Sequence, residues 1–133
     1  MIKKSLPVFA ALLLCLNLSS SLAEDMLDNR SFSGEIGNVG KQTGQADNFS
    51  FQNGKFESTL CRGFGYGKGD YKATVTDGRI QFEAQSTSAD GGVMAWKGTV
   101  IGNSIEGAVV TTENNKEKKE VVRTESWFKG TRK

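Results

Sequence analysis

The chain contains no histidine, and this absence removes several common kinds of functional site. Imidazole is a frequent general base, a frequent zinc ligand and the central member of the Ser-His-Asp triad. Haem attachment through a Cys-x-x-Cys-His motif is excluded for the same reason. The carboxylates show no calcium-loop spacing, so the sequence predicts neither a metal site nor another cofactor. We do not expect an enzyme.

Long apolar runs are also scarce: the sequence has one, and it lies near the N-terminus. Two lysines precede an apolar stretch over residues 7–18, and Ser21-Leu22-Ala23 places small residues at the two positions that a signal peptidase reads. The stretch is too short to span a membrane, and no other candidate follows it. We therefore expect residues 1–23 to be a signal peptide of bacterial style. Residues 24–133 would then be one exported domain, periplasmic or secreted.

The chain has no surplus of basic charge once this segment is removed. It carries 17 basic and 15 acidic residues in total, and the signal peptide contains Lys3 and Lys4 but no acid. The mature chain is therefore formally neutral, with 17 − 2 = 15 basic residues against 15 acidic ones. Nucleic acids and anionic membranes attract proteins with a basic surplus, so neither is expected as the main partner.

Cysteine occurs only at Cys15 and Cys61, and Cys15 lies within the predicted signal peptide. A lipoprotein would use Cys15, but Leu14 stands where a lipid-attachment signal has a small residue. Cys61 alone cannot form an internal disulfide. Three states are open: a buried free thiol, an intermolecular disulfide in a Cys61-linked dimer, or a reactive thiol. The last of these lacks an imidazole to deprotonate the sulfur.

What the sequence does contain is a series of hairpin turn signals, spaced about twelve residues apart in its second half. The pairs are Asn53-Gly54, Asp77-Gly78, Asp90-Gly91, Gly102-Asn103 and Asn114-Asn115. Each contains residue types that accept the positive φ of two-residue hairpins. Short runs rich in Val, Ile, Phe, Thr and Trp flank them. The pattern predicts an all-β fold of eight antiparallel strands in an up-and-down meander, most simply closed into a barrel.

Several segments interrupt this strand pattern. Residues 24–30 are polar and predict a lead-in loop, and a strand over residues 55–61 is followed by a loop of glycines and aromatics over residues 63–70. No segment shows helical periodicity. Phe64 and Tyr66 in the second loop are either anchors of a flexible strand connection or an aromatic surface for recognition.

The aromatic side chains of the strands are the candidates for a binding site. An eight-stranded barrel is either filled by its side chains or holds one small ligand, and the sequence leaves both open. In a filled barrel these side chains form the core. In a hollow one the ligand would contact Trp96, Phe82, Tyr71, Phe49 and Trp127. The carboxylates show no paired spacing of the kind that would mark a glycosidase.

In architecture the sequence resembles the calycins, the broad class that includes lipocalins and avidins. The resemblance rests on the meandering strands, an early loop over residues 38–45 and the aromatics within the strands. The lipocalin Gly-x-Trp signature is absent, because Phe32-Ser33-Gly34-Glu35-Ile36 stands on the first strand. The resemblance implies a small exported barrel and transfers no ligand-binding residue.

We expect an exported barrel that binds a small apolar or amphipathic molecule. The alternative is a protein-binding module or enzyme inhibitor whose filled barrel acts through its loops. A hydrolase that uses two carboxylates is the third hypothesis. The partner would be a small molecule or another exported protein, and the chain would be a monomer or a Cys61-linked dimer.

Overall fold

A computed structural model describes residues 22–133, so the predicted signal peptide lies outside the described residues except for Leu22 and Ala23. Eight antiparallel strands follow one another around a closed barrel, in which β8 pairs with β1. The strands are β1 (Arg30–Asn38), β2 (Gln45–Gln52), β3 (Lys55–Ser58), β4 (Gly69–Thr76), β5 (Arg79–Thr87), β6 (Val93–Ile101), β7 (Ser104–Asn115) and β8 (Glu120–Arg132). The predicted all-β, up-and-down barrel is confirmed. Within residues 22–133 no helix is long and apolar enough to cross a membrane.

Tight turns at two of the predicted positions join consecutive strands. Asn53 and Gly54 have φ angles of 54° and 74°, and Asp77 and Gly78 have φ angles of 53° and 76°. Positive φ at both central residues is the type I′ geometry, whose twist matches that of the flanking strands. Asn, Asp and Gly accept this conformation at low cost, which explains why these dipeptides predicted the turns correctly.

The turn predicted at Asn114-Asn115 is wrong. Both residues belong to β7, and the chain turns over residues 116–119 instead. The Asn115 side chain helps to form this later turn, because its Oδ1 accepts hydrogen bonds from the backbone N–H groups of Glu117 and Lys118, each at 3.2 Å. The β7–β8 hairpin is therefore longer than the sequence indicated.

Two short helices correct the prediction that the chain has none. Helix α1 covers residues 22–27, so it includes the first part of the lead-in loop expected over residues 24–30, and it buries Ala23 and Leu27 completely. Helix α2 (Thr59–Gly63) replaces the end of the predicted third strand, so that β3 ends at Ser58. Helices of one to two turns are too short to show a periodic apolar face, and tertiary contacts hold them.

Aromatic side chains fill the middle of the barrel. The largest buried side chains are Trp96, Phe32, Phe49, Phe51, Phe56 and Phe128, each less than 2% exposed. Their rings pack together: the ring centroid of Trp96 lies 4.9 Å from that of Phe56 and 5.2 Å from that of Phe128. The barrel is therefore filled by its side chains, which is one of the two alternatives that the sequence left open.

The two ends of the barrel are built differently. At one end, called the α1 end, helix α1 lies against the core. The Tyr71 hydroxyl is within hydrogen-bond distance of the Glu24 carbonyl oxygen, at 2.9 Å, and of Asp28 Oδ1, at 2.6 Å. The opposite end, called the loop end, carries the four longer connections, which are residues 39–44, 59–68, 88–92 and 116–119.

Candidate functional site

A cleft of about 460 Å³ opens at the loop end. Its apolar lining includes Ile36, Leu60, Cys61, Phe64, Tyr66 and Met94, and its polar lining includes Asn38, Lys41, Thr43, Gln45, Thr111, Glu113, Thr124 and Ser126. Small-molecule sites commonly have volumes of this order and commonly lie in the mouths of barrels. The cleft combines apolar surface with several hydrogen-bonding groups.

Buried polar residues lie between the aromatic core and the cleft. Trp96 Nε1 donates a hydrogen bond to Ser86 Oγ at 3.3 Å, and Ser126 Oγ donates one to Asn38 Oδ1 at 3.4 Å. Among the described residues, no buried side-chain nitrogen or oxygen lacks a hydrogen-bond partner. The aromatic side chains of the core thus give way to serine hydroxyl groups toward the loop end. Beyond these hydroxyls lies a space in which polar groups can form hydrogen bonds.

Asp47 positions the wall of the cleft that α2 forms. The residue is 3% exposed, and its carboxylate accepts hydrogen bonds from the Leu60 backbone N–H, at 2.9 Å, and from the Ser58 hydroxyl. Ser58 is in turn the N-cap of α2, because its Oγ accepts a hydrogen bond from the Cys61 N–H at 3.2 Å. These bonds turn the chain out of β3 and place Leu60 and Cys61 against the cleft.

The Cys61 thiol lines the cleft as a neutral group. It is free and 7% exposed. Burial raises the pKa of Cys61; the hydrogen bond with Ser58 opposes this shift, and the Asp47 carboxylate adds to it. A raised pKa keeps the sulfur protonated at neutral pH, and a protonated thiol is a poor nucleophile. An intermolecular disulfide through Cys61 stays a prediction.

Tyr66 forms another wall of the cleft. It makes an isolated antiparallel bridge with Ser88, and its side chain is buried. Burial raises the pKa of Tyr66, and the neighbouring carboxylate of Glu113 raises it further. The fit is close, since a Cβ atom on Gly92 would lie 2.4 Å from the Tyr66 hydroxyl oxygen. Phe64, two residues before Tyr66, is by contrast 70% exposed.

Four of the five aromatic residues predicted to bind a ligand lie together in the filled core. Phe49, Tyr71, Phe82 and Trp96 are buried in one cluster. Trp127 lies apart from them, on the outer face of β8. Its Nε1 donates a hydrogen bond to the Lys41 carbonyl oxygen at 2.9 Å and thereby holds the 39–44 loop, which lines the cleft. Ligand contact by these five residues stays a prediction.

Sequence reasoning did not single out Asp47 and Glu113 as site residues. A signal for Asp47 was present, because the alternation of Asp47, Phe49 and Phe51 puts this carboxylate on the inward face of β2, where charged groups are rare. Glu113 was hidden by the misplaced turn at residues 114–115. Because β7 is longer than predicted, Glu113 is part of a strand and extends over the loop end.

A broader depression lies on the outer face, where it crosses β4 to β8. Its walls carry exposed charges that face each other across neighbouring strands, such as Glu83 and Lys97, whose nearest charged atoms are 3.9 Å apart. Exposed cross-strand pairs of this kind are ordinary sheet surface. The depression is not built around buried polar side chains, so we place the candidate site at the loop end.

Comparisons with known proteins found no match, so only the geometry and chemistry of the cleft indicate its function. A scan against protein-family models gave no match, and neither did searches of the curated proteins and of the solved structures. Within residues 22–133, no group of three or more cysteine, aspartate and glutamate side chains is placed to hold a metal ion.

Proposed function

We propose that this protein is an exported binding protein that holds one small amphipathic ligand in the cleft at the loop end. The observation that supports this function is the composition of the cleft. Apolar side chains such as Met94 and Leu60 share it with hydroxyl and carboxylate groups such as Thr111 and Glu113. A surface of this kind suits a molecule with an apolar part and a polar part.

The packed core favours the mouth of the barrel over its interior as the binding site. A ligand in the interior would have to displace rings that already contact one another at 4.9–6.4 Å between centroids. Protein cores packed in this way leave few voids larger than a water molecule. The function we propose therefore keeps the amphipathic ligand expected from the sequence and places it above the core.

Export and the absence of catalysis are part of the same proposal. The N-terminal lysines, the apolar stretch and the small residues before Glu24 support export. The complete lack of histidine and the raised pKa of Cys61 support binding without a chemical step.

Native mass spectrometry of the protein, purified gently from its own host, tests the proposal. A bound small molecule that is released on denaturation is the expected result. An empty protein that also fails to bind any amphipathic probe from a panel would overturn the proposal.

Two matched tryptophan variants show whether such a ligand occupies the cleft. Thr124 and Thr131 are both exposed threonines on β8, and only Thr124 lines the cleft. We expect Thr124→Trp to fill the cleft and abolish ligand retention, and Thr131→Trp to leave it unchanged. Equal retention by both variants would place the ligand elsewhere on the protein.

Recognition of another protein is a second candidate function, and the exposure of Phe64 favours it. This ring is 70% exposed between Gly63 and Gly65, and large apolar side chains on loops are common anchors in interfaces. For any partner identified, Phe64→Ala should weaken binding at least tenfold, about the effect of one anchor side chain. Val121, which is 66% exposed, provides a control, and loss of affinity in Val121→Ala alone would exclude Phe64 as the anchor.

A further inference from the structure

Two opposite charges line the cleft without an ionic partner. Glu113 is its single carboxylate and Lys41 its single cation, and neither takes part in an ion pair within residues 22–133. Glutamate and lysine at a protein surface are ordinarily solvated. What distinguishes this pair is that each is exposed at the edge of a space large enough for a ligand.

Glu113 is oriented toward the cleft by its strand. It has the same parity on β7 as Ile105, Val109 and Thr111, all of which are buried on the inward face. Because side chains alternate along a strand, Glu113 continues that face beyond the rim of the core. Its carboxylate is near enough to the Tyr66 hydroxyl to affect the titration of that group. Glu113 therefore lies over the mouth of the barrel.

Lys41 has a different placement. It belongs to the 39–44 loop, where its backbone carbonyl is bonded to Trp127 on the outer face of the barrel. The loop backbone at Lys41 is thus fixed toward the outside. Of the two charges, Glu113 is the one whose position on a strand directs it toward the cleft.

The aromatic residues of the cleft, of which Tyr66 is the neighbour of Glu113, favour the same sign of ligand charge. Tyr66 and Phe64 both line the cleft, and the faces of aromatic rings carry partial negative charge. A carboxylate that shares a cleft with aromatic rings attracts an organic cation and disfavours an anion. The apolar residues Met94 and Leu60 provide a surface for the remainder of such a molecule.

We propose that the ligand is a cationic amphiphile, with a protonated amine that binds Glu113 and an apolar portion that packs against Met94 and Leu60. This inference rests on the proposed function, since it specifies what the cleft binds. It assigns Glu113 as the residue that determines selectivity for charge.

Three probes with the same eight-carbon chain and different head groups test the inference: octylammonium, octanol and octanoate, each used below its micelle concentration. Their affinities are measured by isothermal titration calorimetry. We expect octylammonium to bind about five- to tenfold more tightly than octanol, the effect of one exposed ion pair together with a cation–π contact. Octanoate should bind more weakly than both.

Charge-neutralising variants identify the residue responsible. In Glu113→Gln the preference for octylammonium over octanol should fall to about twofold, because only the aromatic contribution remains. Glu106→Gln removes an exposed carboxylate from the outer face of the same strand and should keep the full preference. Lys41→Gln removes the single cation of the cleft and should keep or increase the preference for octylammonium.

The possible results separate this inference from the function on which it depends. If all three probes bind equally, or if Glu113→Gln retains the preference, the cleft binds amphiphiles without selecting cations and the inference is wrong. If octanoate binds best and Lys41→Gln removes that advantage, the ligand is an anion, which also overturns it. If none of the probes binds, nor any other amphiphile, the proposed function itself fails.

Discussion

Gly107 lies directly opposite Gly98 across the β6–β7 ladder, and the rings of Phe82 and Phe128 occupy the space that side chains there would need. A Cβ atom on Gly98 would be 2.6 Å from Phe82 Cε1. One on Gly107 would be 2.1 Å from the Lys97 carbonyl oxygen. A ring can shift within a core, but a strand backbone cannot move without disturbing its ladder. The facing glycines thus make room for the packed rings.

This difference predicts that the two glycines tolerate alanine unequally. We expect Gly98→Ala to lower the free energy of unfolding by about 1–3 kcal/mol, the usual effect of overpacking. Gly107→Ala should cost more than Gly98→Ala, because its added methyl group meets backbone. Gly63→Ala is the control, since a Cβ atom at that position meets nothing within 4 Å. Urea unfolding measures all three. Equal losses at positions 98 and 107 would show that the β6–β7 backbone yields as readily as the Phe82 ring.

The architecture was predictable because it depends on local signals. Positive φ at Asn53 and Asp77 is a property of a few residue types, and the inward alternation of Ile80, Phe82 and Ala84 follows from the period of a strand. Both are written into short stretches of sequence. The count and order of the strands followed from them.

The cleft was less predictable because it depends on contacts between distant residues. Helix α2 begins where it does because the Asp47 carboxylate, thirteen residues earlier than Leu60, binds the Leu60 N–H. The position of Glu113 depends on how far β7 and β8 stay paired, and a residue-by-residue pattern does not show this. Whether the barrel was hollow or filled depended on the combined volume of side chains from all eight strands.

Removing the Asp47 carboxylate should loosen α2. In Asp47→Ala the Ser58 hydroxyl and the Leu60 N–H lose a buried acceptor, and we expect the free energy of unfolding to fall by about 2–4 kcal/mol. Cys61 should also react faster with an alkylating reagent, because α2 no longer packs it firmly. Asp70→Ala removes a carboxylate that is 83% exposed and paired with Lys55, and should change stability by less than about 1 kcal/mol. Unchanged Cys61 alkylation in Asp47→Ala would show that other contacts fix α2.

The indole of Trp127 should control the loop that lines the cleft. Trp127→Phe keeps an aromatic ring on the outer face and removes the hydrogen bond to the Lys41 carbonyl oxygen. We expect faster backbone hydrogen exchange confined to residues 39–44, with a global loss of only about 1 kcal/mol. Hydrogen exchange followed by mass spectrometry resolves the two effects. Exchange that increases evenly over all strands would mean that Trp127 supports the barrel rather than the loop.

The raised pKa of Tyr71 predicts how the free energy of unfolding changes at alkaline pH. Burial raises the pKa of its hydroxyl far above the ordinary value of 10.0, and the hydrogen bond to the Asp28 carboxylate raises it further. Below that ordinary value, folded and unfolded chains both hold the proton, so the contribution of Tyr71 to stability is complete. As the pH rises above about 10 the unfolded chain loses this proton first, and the free energy of unfolding falls with increasing pH.

Tyr71→Phe separates this contribution from those of Tyr66 and Cys61, whose pKa values are also raised and which remain in the variant. At about pH 8 the variant should be less stable by about 1–2 kcal/mol, since the hydrogen bonds of the hydroxyl to Glu24 and Asp28 are lost. Above about pH 10 its stability should decline less steeply than that of the native protein, because one fewer proton is released on unfolding. Chemical unfolding at a series of pH values measures both slopes. Parallel slopes would show that Tyr71 ionises as readily in the folded barrel as in the unfolded chain.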